Sequence, residues 1–357
     1  EFYPKNSPRA NRTTELAKEL AKQGNKVCVY TDIESFDYTS YEDKFKISVK
    51  SIGKIRFATT NSKTNSSKYS FFIKVFAKLF HKYTEFPDIE LMFKTYHVLK
   101  NNQDKIDLLI SVAHPFPIHW GVAYAKNRIK NFPSKWVADC GDPYMGNPNI
   151  KRPFYFKRIE KWFCRKVDFI TVPTKESVQA YYPEFNDKIK IIPQGFNLDD
   201  YNYLPSYKKN TIPTFIYAGA FYKKIRNPEP FLNYLISLED DFKFIIYTRQ
   251  KNIVNPFKNK LGKKLIIRNF IPRNEILENL SMADFLINFQ NKEKTQTPSK
   301  LIDYAIVDRP VLNVYDEKDF PKIKSFLFSN YESKMKTPNI EDYCITKVAN
   351  KFINLID

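Results

Sequence analysis

The feature that most constrains the fold is a regular alternation of short apolar runs with segments of helical periodicity. The runs are rich in Val, Ile, Phe and Tyr, which is typical of buried strands. Near the start, Leu16, Ala17, Leu20 and Ala21 have the spacing of a helix face, and Gly24 stands where such a helix would end. Strands separated by helices pair in parallel, so we predict an α/β fold. The predicted strands are residues 27–31, 107–113, 135–139, 167–173, 188–192, 214–218, 242–248, 264–268, 283–289 and 310–314.

A segment without periodicity, residues 196–213, divides these strands into two series and has the composition of a linker. We therefore expect two Rossmann-like domains, residues 1–200 and 201–340, facing a central cleft that holds the ligands. Residues 341–357 are expected to form a helix that packs back on the first domain. A Rossmann-like half begins with a strand, whereas Glu1-Phe2-Tyr3-Pro4 has the character of the loop after one, so we expect a further strand before Glu1.

Composition excludes several classes of protein. With 357 residues and 43% hydrophobic side chains, the chain can bury two cores and is not intrinsically disordered. The sequence contains no apolar run of the roughly 18 residues that span a bilayer. The four cysteines form no Cys-x-x-Cys pair, which argues against zinc and favours a reducing cytoplasm. The net charge of +19 indicates an anionic partner, although an AT-rich genome also favours lysine.

The most informative motif is residues 296–305, QTPSKLIDYA, followed by the strand-like DRPVL of residues 308–312. Pro298 and Ser299 are well suited to open a helix, and the free amides of its first turn would favour a diphosphate. Asp303, one turn later, can accept hydrogen bonds from vicinal hydroxyl groups such as those of a ribose. The alternative is an ordinary capped helix that carries a solvated aspartate.

This block resembles the donor-binding signature of glycosyltransferase family 4, in which P-S-K-x-x-E-Y opens a helix before a G-x-P-V strand. The resemblance implies that Asp303 holds the ribose of a nucleotide sugar and that Thr297, Pro298 and Ser299 lie against the donor. An earlier glutamate of the motif touches the donor sugar in relatives, and Thr295 occupies that position here. Sugar recognition would then pass to Thr295, its neighbours or nearby backbone amides.

Other blocks resemble the same family, in the same order along the chain. The turn YAGAFY of residues 217–222, with Gly219 and then Arg226, resembles the turn and cation that grip the donor diphosphate. Arg226 and Lys300 would offset the charge that grows on the leaving diphosphate. Phe270 and Ile271 match the loop that lines the base pocket. The alternative for Arg226 is an ordinary surface arginine.

Candidate acceptor-side residues follow two predicted strands of the first half. His114 and His119 both lie in the loop and helix start after residues 107–113, and the spacing of the family favours His119 for a direct role near the transferred sugar. Asp142, after the next strand, could orient or deprotonate the acceptor hydroxyl. The alternatives are a structural histidine and an aspartate that only starts a turn. At the amino end, Arg9 and Arg12 are candidates for the donor phosphates.

Two segments are candidates for contact with an anionic membrane. In residues 69–83, aromatic and aliphatic side chains share one face of a predicted helix and lysines share the other. Residues 151–165 are basic and aromatic as well. The alternative for the first segment is a helix packed on the sheet with a solvated lysine stripe.

The resemblance implies an enzyme of the GT-B fold. The cysteines favour a cytoplasmic location, and the positive charge and the two basic segments would place the protein on the inner face of the plasma membrane. It would move a sugar, with retention, from a nucleotide sugar to a hydroxyl of a lipid-linked glycan in bacterial capsule, O-antigen or lipopolysaccharide synthesis. We expect no cofactor and no metal. The alternatives are a sugar-nucleotide 2-epimerase, a catalytically degenerate binding subunit and a basic nucleic-acid-binding protein; the last lacks the recognition motifs of such proteins.

Overall fold

The computed structural model describes residues 1–5, 7–33, 36–53, 79–147, 150–201, 204–222, 226–290 and 300–356. The chain divides into two compact units. The first unit comprises Glu1–Asn197 and Asp342–Asp357, and the second comprises Leu198–Glu341. The boundary lies within the segment that the sequence marked as a linker. No helix among the described residues is long and apolar enough to cross a membrane.

The first unit contains two parallel sheets. One pairs β1 (Val27–Thr31) with β2 (Ile47–Ser51), and the other has the order β3 (Leu108–Ala113), β4 (Lys135–Cys140), β5 (Phe169–Val172), β6 (Ile189–Ile191). Strand β2 was not predicted. The helices of the first unit before Asn197 are α1 (Pro8–Lys22), α2 (Thr39–Phe45), α3 (Glu90–Asn101), α4 (Pro117–Ala125) and α5 (Phe156–Lys166). Helix α1 contributes Leu16 to a core with β3 and β4 and Ala17 to a core with β1, so it packs on both sheets.

The second unit is built on one parallel sheet of five strands: β7 (Thr214–Ala218), β8 (Lys243–Tyr247), β9 (Leu265–Arg268), β10 (Phe285–Phe289) and β11 (Val311–Val314). Their order is β11-β10-β7-β8-β9, so the chain runs outward from the centre in both directions, which is the doubly wound Rossmann arrangement. The helices are α6 (Glu229–Ile236), α7 (Lys251–Val254), α8 (Lys258–Leu261), α9 (Arg273–Ser281), α10 (Lys300–Val307) and α11 (Lys322–Leu327). Apolar cores cover both faces of the sheet, as parallel strands require.

The last helix, α12 (Ile345–Ile353), returns to the first unit. Thr346 donates a hydrogen bond to Glu19 of α1 at 2.9 Å, and Phe352 is buried in the core beneath α1. The turn at Gly195 explains why the helix can come so close. A Cβ added to Gly195 would lie 2.4 Å from Ile345 Cδ1 and 3.0 Å from its Cα, so a larger residue would push α12 away.

Candidate functional site

The second unit has a natural ligand position where its strand order reverses. Strands β7 and β10 are neighbours in the sheet, but the chain leaves them in opposite directions. In sheets of this kind, such a switch point opens a crevice at the carboxyl ends of the strands. The residues that follow β7 and β10 therefore border the crevice, and they include the predicted turn at Gly219.

Helix α10 is fixed over this switch point by a buried tyrosine. The hydroxyl of Tyr304 donates to the carbonyl of Ile287 in β10 at 2.9 Å and accepts from the amide of Ala218 in β7 at 3.5 Å. Burial raises the pKa of Tyr304, which therefore stays a neutral donor. These two bonds hold the first turn of α10, with Lys300 and Asp303, close to the ends of both strands.

Lys300 is a buried cation without a hydrogen-bond acceptor among the described residues. Its side chain nitrogen lies 4.5 Å from the ring centroid of Tyr217, and the residue is only 9% exposed. Burial lowers the pKa of Lys300 well below its ordinary value, and the charge of Arg226 lowers it further. A buried ammonium is costly unless an anion accompanies it, so this position favours a negatively charged ligand.

Arg226 approaches the same tyrosine from its hydroxyl end. Its guanidinium donates to the carbonyl of Ala220 at 3.1 Å and lies 3.4 Å from Tyr217 Oη, while Tyr217 Oη donates to Ala220 at 2.9 Å. Gly219 permits this packing, because a Cβ there would lie 3.0 Å from Tyr217 Oη. The structure thus brings the predicted residues Gly219, Arg226 and Lys300 together around one aromatic ring.

Asp303 forms an ion pair that the sequence did not predict. Its Oδ1 accepts a hydrogen bond from Nε of Arg273, the first residue of α9, at 2.8 Å and lies 2.6 Å from Nη2 in the same ion pair. Nη1 of Arg273 donates to the hydroxyl of Tyr201 at 2.5 Å. Burial raises the pKa of Asp303 and Arg273 opposes that effect. Among the described residues, none donates a hydrogen bond to Oδ2 of Asp303.

Two side chains at the carboxyl ends of β8 and β9 form an exposed flat pair. The guanidinium of Arg249 lies 4.4 Å from the ring centroid of Phe270, which is 57% exposed. Ile271, its neighbour, packs partly buried against the core instead. Phe270 and Arg249 therefore present a planar aromatic and cationic surface of the kind on which a heterocyclic base stacks.

Four predicted donor-binding residues, Thr295, Thr297, Pro298 and Ser299, lie outside the described residues. They directly precede Lys300 in the chain. The roles predicted for them stay predictions.

The first unit places His119 in its interior, where the predicted catalytic role finds no support. The residue is fully buried, with Nδ1 2.8 Å from Ser111 Oγ, Nε2 3.5 Å from Cys140 Sγ and the ring stacked on Phe163. Burial lowers its pKa to about 3, so the imidazole is neutral. A ring with no exposed surface and both nitrogens occupied is a packing element, and this conformation does not present it to a substrate.

His114 and Asp142 lie at the carboxyl ends of β3 and β4 and are the more accessible pair. Asp142 has a 41% exposed side chain and lies 4.0 Å from Arg9. Burial, with contributions from Arg9 and Arg152, lowers the pKa of His114 to about 4, so it is a neutral hydrogen-bonding group at pH 7.

The second arginine considered for the donor phosphates, Arg12, has a different role. Its guanidinium binds both oxygens of buried Asp139 at 2.6 Å and donates to the carbonyl of Ile192 at 3.1 Å, and Thr171 also donates to Asp139 at 2.6 Å. Arg12 therefore ties α1 to β4 and to the end of β6.

One cluster has the donor set of a metal site, but we assign no metal to it. Ligand atoms of His81, Glu85 and Asp88 lie within 4.8 Å of one another. The carboxylate of Glu85 is already paired with Arg152 at 3.3 Å and accepts from Tyr144 at 2.9 Å. Its charge is therefore offset inside the protein.

Sequence reasoning missed the residues that support the site. Arg273 and Tyr201 orient Asp303, yet nothing in their spacing distinguishes them from other polar or aromatic residues. Tyr304 fixes α10 on the sheet, and its position in the donor signature could have revealed this role.

Comparison with solved structures shows the fold. Anabaena Alr3699/HepE, solved in complex with UDP-glucose, has a TM-score of 0.52 at 10% identity and covers 99% of this chain and 95% of its own. The lipopolysaccharide outer core galactosyltransferase WaaB has a TM-score of 0.56 at 9% identity, with coverages of 100% and 97%. The UDP-GlcNAc 2-epimerase from Neisseria meningitidis has a TM-score of 0.59 at 10% identity, with coverages of 98% and 96%. This is the GT-B fold of two Rossmann-like domains, as predicted.

Comparison with protein families is more specific. No curated protein matches the sequence. The family model of Glycosyltransferase Family 4, however, matches residues 10–200, which is more than half of the 357 residues. This chain therefore belongs to glycosyltransferase family 4, as the resemblance of its motifs predicted.

Proposed function

We propose that the protein transfers a sugar from a nucleotide-sugar donor to a hydroxyl of a lipid-linked glycan acceptor. The transfer would proceed with retention and without a metal, at the cytoplasmic face of the membrane, in the synthesis of a surface polysaccharide. Membership of the family supports glycosyl transfer, and the site in the second unit supports the donor.

One observation carries the donor assignment. Lys300 is buried beside Arg226 at the switch point of a Rossmann-ordered sheet, and no described residue accepts a hydrogen bond from its ammonium. A diphosphate would supply the missing negative charge. The same two cations would stabilise the leaving nucleoside diphosphate, because negative charge grows on it as the glycosidic bond breaks.

The nucleoside would extend from this diphosphate over α10 and the neighbouring strand ends. Oδ2 of Asp303 would accept from the ribose hydroxyls, while Arg273 keeps the carboxylate oriented through Oδ1. The base would stack on Phe270 beside Arg249. Thr295, Thr297, Pro298 and Ser299 belong to this proposal through their motif positions alone.

On the acceptor side, Asp142 would orient and deprotonate the acceptor hydroxyl. His114, and not His119, would be the histidine near the transferred sugar. Asp142 has an exposed carboxylate that can orient the acceptor hydroxyl and accept its proton. His114 is neutral and partly exposed, whereas His119 is enclosed.

Donor screening by thermal shift tests this function. UDP-sugars come first, because the related HepE structure holds UDP-glucose, and GDP-sugars follow. We expect one series to raise the melting temperature, and Asp303→Ala and Arg226→Ala to reduce that shift. If no nucleotide sugar stabilises the protein, or both variants respond like the unmodified chain, the proposed site is wrong.

The similarity to a 2-epimerase keeps a second reaction in view. A 2-epimerase inverts the configuration at C2 of the donor sugar and needs no acceptor. A transferase instead releases nucleoside diphosphate as it transfers or hydrolyses the sugar. Incubation of the stabilising donor alone, followed by NMR of the sugar, separates them. Donor binding without either product, also when acceptor glycan is added, would indicate a binding subunit.

A further inference from the structure

The first unit contains a cavity of about 470 Å³ that the proposed reaction does not use. This volume lies within the range of small-molecule pockets, roughly 300–1,000 Å³. It is bordered by α3, α4 and α5 and by the residues just before α3. Among the described residues, those that line it are Tyr83, Thr84, Ile89, Met92, Trp120, Tyr155, Phe156, Arg158, Ile159 and Trp162.

The chemistry of the wall is apolar and aromatic. Helix α5 and the residue before it present Tyr155, Ile159 and Trp162 at a spacing of three and four residues, so one helix face lines the cavity. Trp120 is a buried part of the cavity wall and stacks on Phe156, with ring centroids 5.9 Å apart. Its indole N–H donates to no described residue, so a ligand oxygen could accept from it. Such a wall fits a hydrocarbon chain with few oxygens better than a sugar.

The surroundings of the cavity combine exposed apolar side chains with cations. Tyr83 is half exposed, and Phe154, beside the lining residue Tyr155, is 82% exposed. Arg158 is exposed and lines the cavity itself. The ammonium of Lys82 lies 5.4 Å from the ring of Tyr83, and that of Lys166 lies 5.7 Å from the ring of Trp162. Apolar side chains among cations are typical of surfaces that bind anionic lipid.

We propose that this cavity binds the hydrocarbon chain of a lipid phosphate, with the phosphate at Arg158. This inference rests on the proposed function, in which the lipid is the carrier of the glycan acceptor. The positive charges select an anionic head group, and the aromatic wall selects an extended apolar chain. The cavity would thus recognise the lipid end of the acceptor in the unit that also holds Asp142.

Calorimetric titration with alkyl phosphates below their micelle concentration tests this proposal. Octyl, decyl and dodecyl phosphate are compared with dodecyltrimethylammonium. We expect affinity to increase up to about fourfold per added methylene, which corresponds to ~0.8 kcal/mol each, and the cationic amphiphile to bind at least about tenfold more weakly.

Matched variants locate the binding. Arg158→Glu should weaken dodecyl phosphate binding at least about tenfold, whereas Arg165→Glu, on the same helix outside the cavity lining, should leave it unchanged. Thr84→Phe should obstruct the mouth and remove the chain-length dependence. Thr84, Arg158 and Arg165 are all exposed, so none of the three variants is expected to unfold, and circular dichroism checks their folding.

Three results would overturn the proposal. They are affinities independent of chain length, equal losses in the two arginine variants, and binding to anionic vesicles without binding to dodecyl phosphate. The last would mean that the surface binds a bilayer and not a single chain. Nucleotide binding by the second unit is measured separately, so failure here and failure of the donor site are distinguishable.

Discussion

At the residue scale, Tyr217 organises the candidate donor site. Lys300 lies over its face and Arg226 at its hydroxyl, so two cations share one aromatic side chain. In the ligand-free protein, burial and, to a smaller extent, the charge of Arg226 disfavour the protonated form of Lys300 and lower its pKa. The site therefore stores free energy that an anionic ligand would recover, and loss of this charge should affect stability and binding in opposite directions.

Lys300→Met is expected to stabilise the ligand-free protein. The pKa of Lys300 is lower in the folded chain than its ordinary 10.5, so the unfolded chain binds this proton more tightly. Stability should therefore rise with pH between the folded pKa and 10.5, and the methionine variant should lose that rise. Urea unfolding at a series of pH values measures it. Lys264→Met, which removes another lysine over a ring, is the control. A less stable variant with an unchanged pH profile would contradict the expectation.

His119→Gln is expected to change stability in acid and not turnover. Burial lowers the folded pKa of His119 to about 3, so the unfolded state takes up the proton first as the pH falls below about 6.5. His119 therefore contributes a loss of stability of up to about 1.4 kcal/mol per pH unit through this window. Glutamine should remove that slope. A large loss of kcat with unchanged stability would restore the catalytic role.

The two histidines also show what the sequence could not provide. Both follow β3 within a few residues, and the family pattern favoured His119. Which imidazole is enclosed depends on the packing of α4 against Phe163 and Cys140, which are distant in the chain. By contrast, Gly219, Arg226 and Lys300 could be predicted as a group, because each is a motif residue whose chemistry suits a diphosphate.

At the scale of elements, short-range patterns predicted most strands. Each of the ten predicted runs overlaps one strand, because buried parallel strands are continuous apolar segments. Strand β2 escaped prediction because it is a half-exposed edge strand that alternates Ile47 and Val49 with polar residues. The packing of the last helix on the first domain was expected, but the close approach that Gly195 permits is visible only in three dimensions.

Phe352→Ala tests how much α12 contributes to the first unit. Phe352 is buried with Leu16 and Val348, so its truncation should cost about 3–5 kcal/mol through lost burial and a new cavity. The measurement is urea unfolding followed by hydrogen exchange of α1. Lys351→Ala, at the exposed neighbouring position, should change stability by less than about 0.5 kcal/mol. Equal effects would show that α12 is not part of this core.

At the scale of the whole molecule, the two units differ in the chemistry of their candidate binding residues. The second unit has the Rossmann order and a cationic pair at its switch point, which suit a nucleotide sugar. The first unit has an exposed carboxylate and an apolar cavity surrounded by cations, which suit a lipid-linked acceptor. The net charge of +19 is consistent with both anionic ligands.

In the proposed donor site, Lys300 and Arg226 bind the diphosphate of the donor. Isothermal titration of the unmodified protein, Lys300→Met and Lys264→Met with UDP and GDP tests it most directly. We predict that one nucleotide binds, that Lys300→Met weakens it at least about tenfold, a loss of ~1.4 kcal/mol or more, and that Lys264→Met binds like the unmodified protein. Unchanged affinity in Lys300→Met, or equal losses in both lysine variants, would contradict the assignment of Lys300 to the diphosphate.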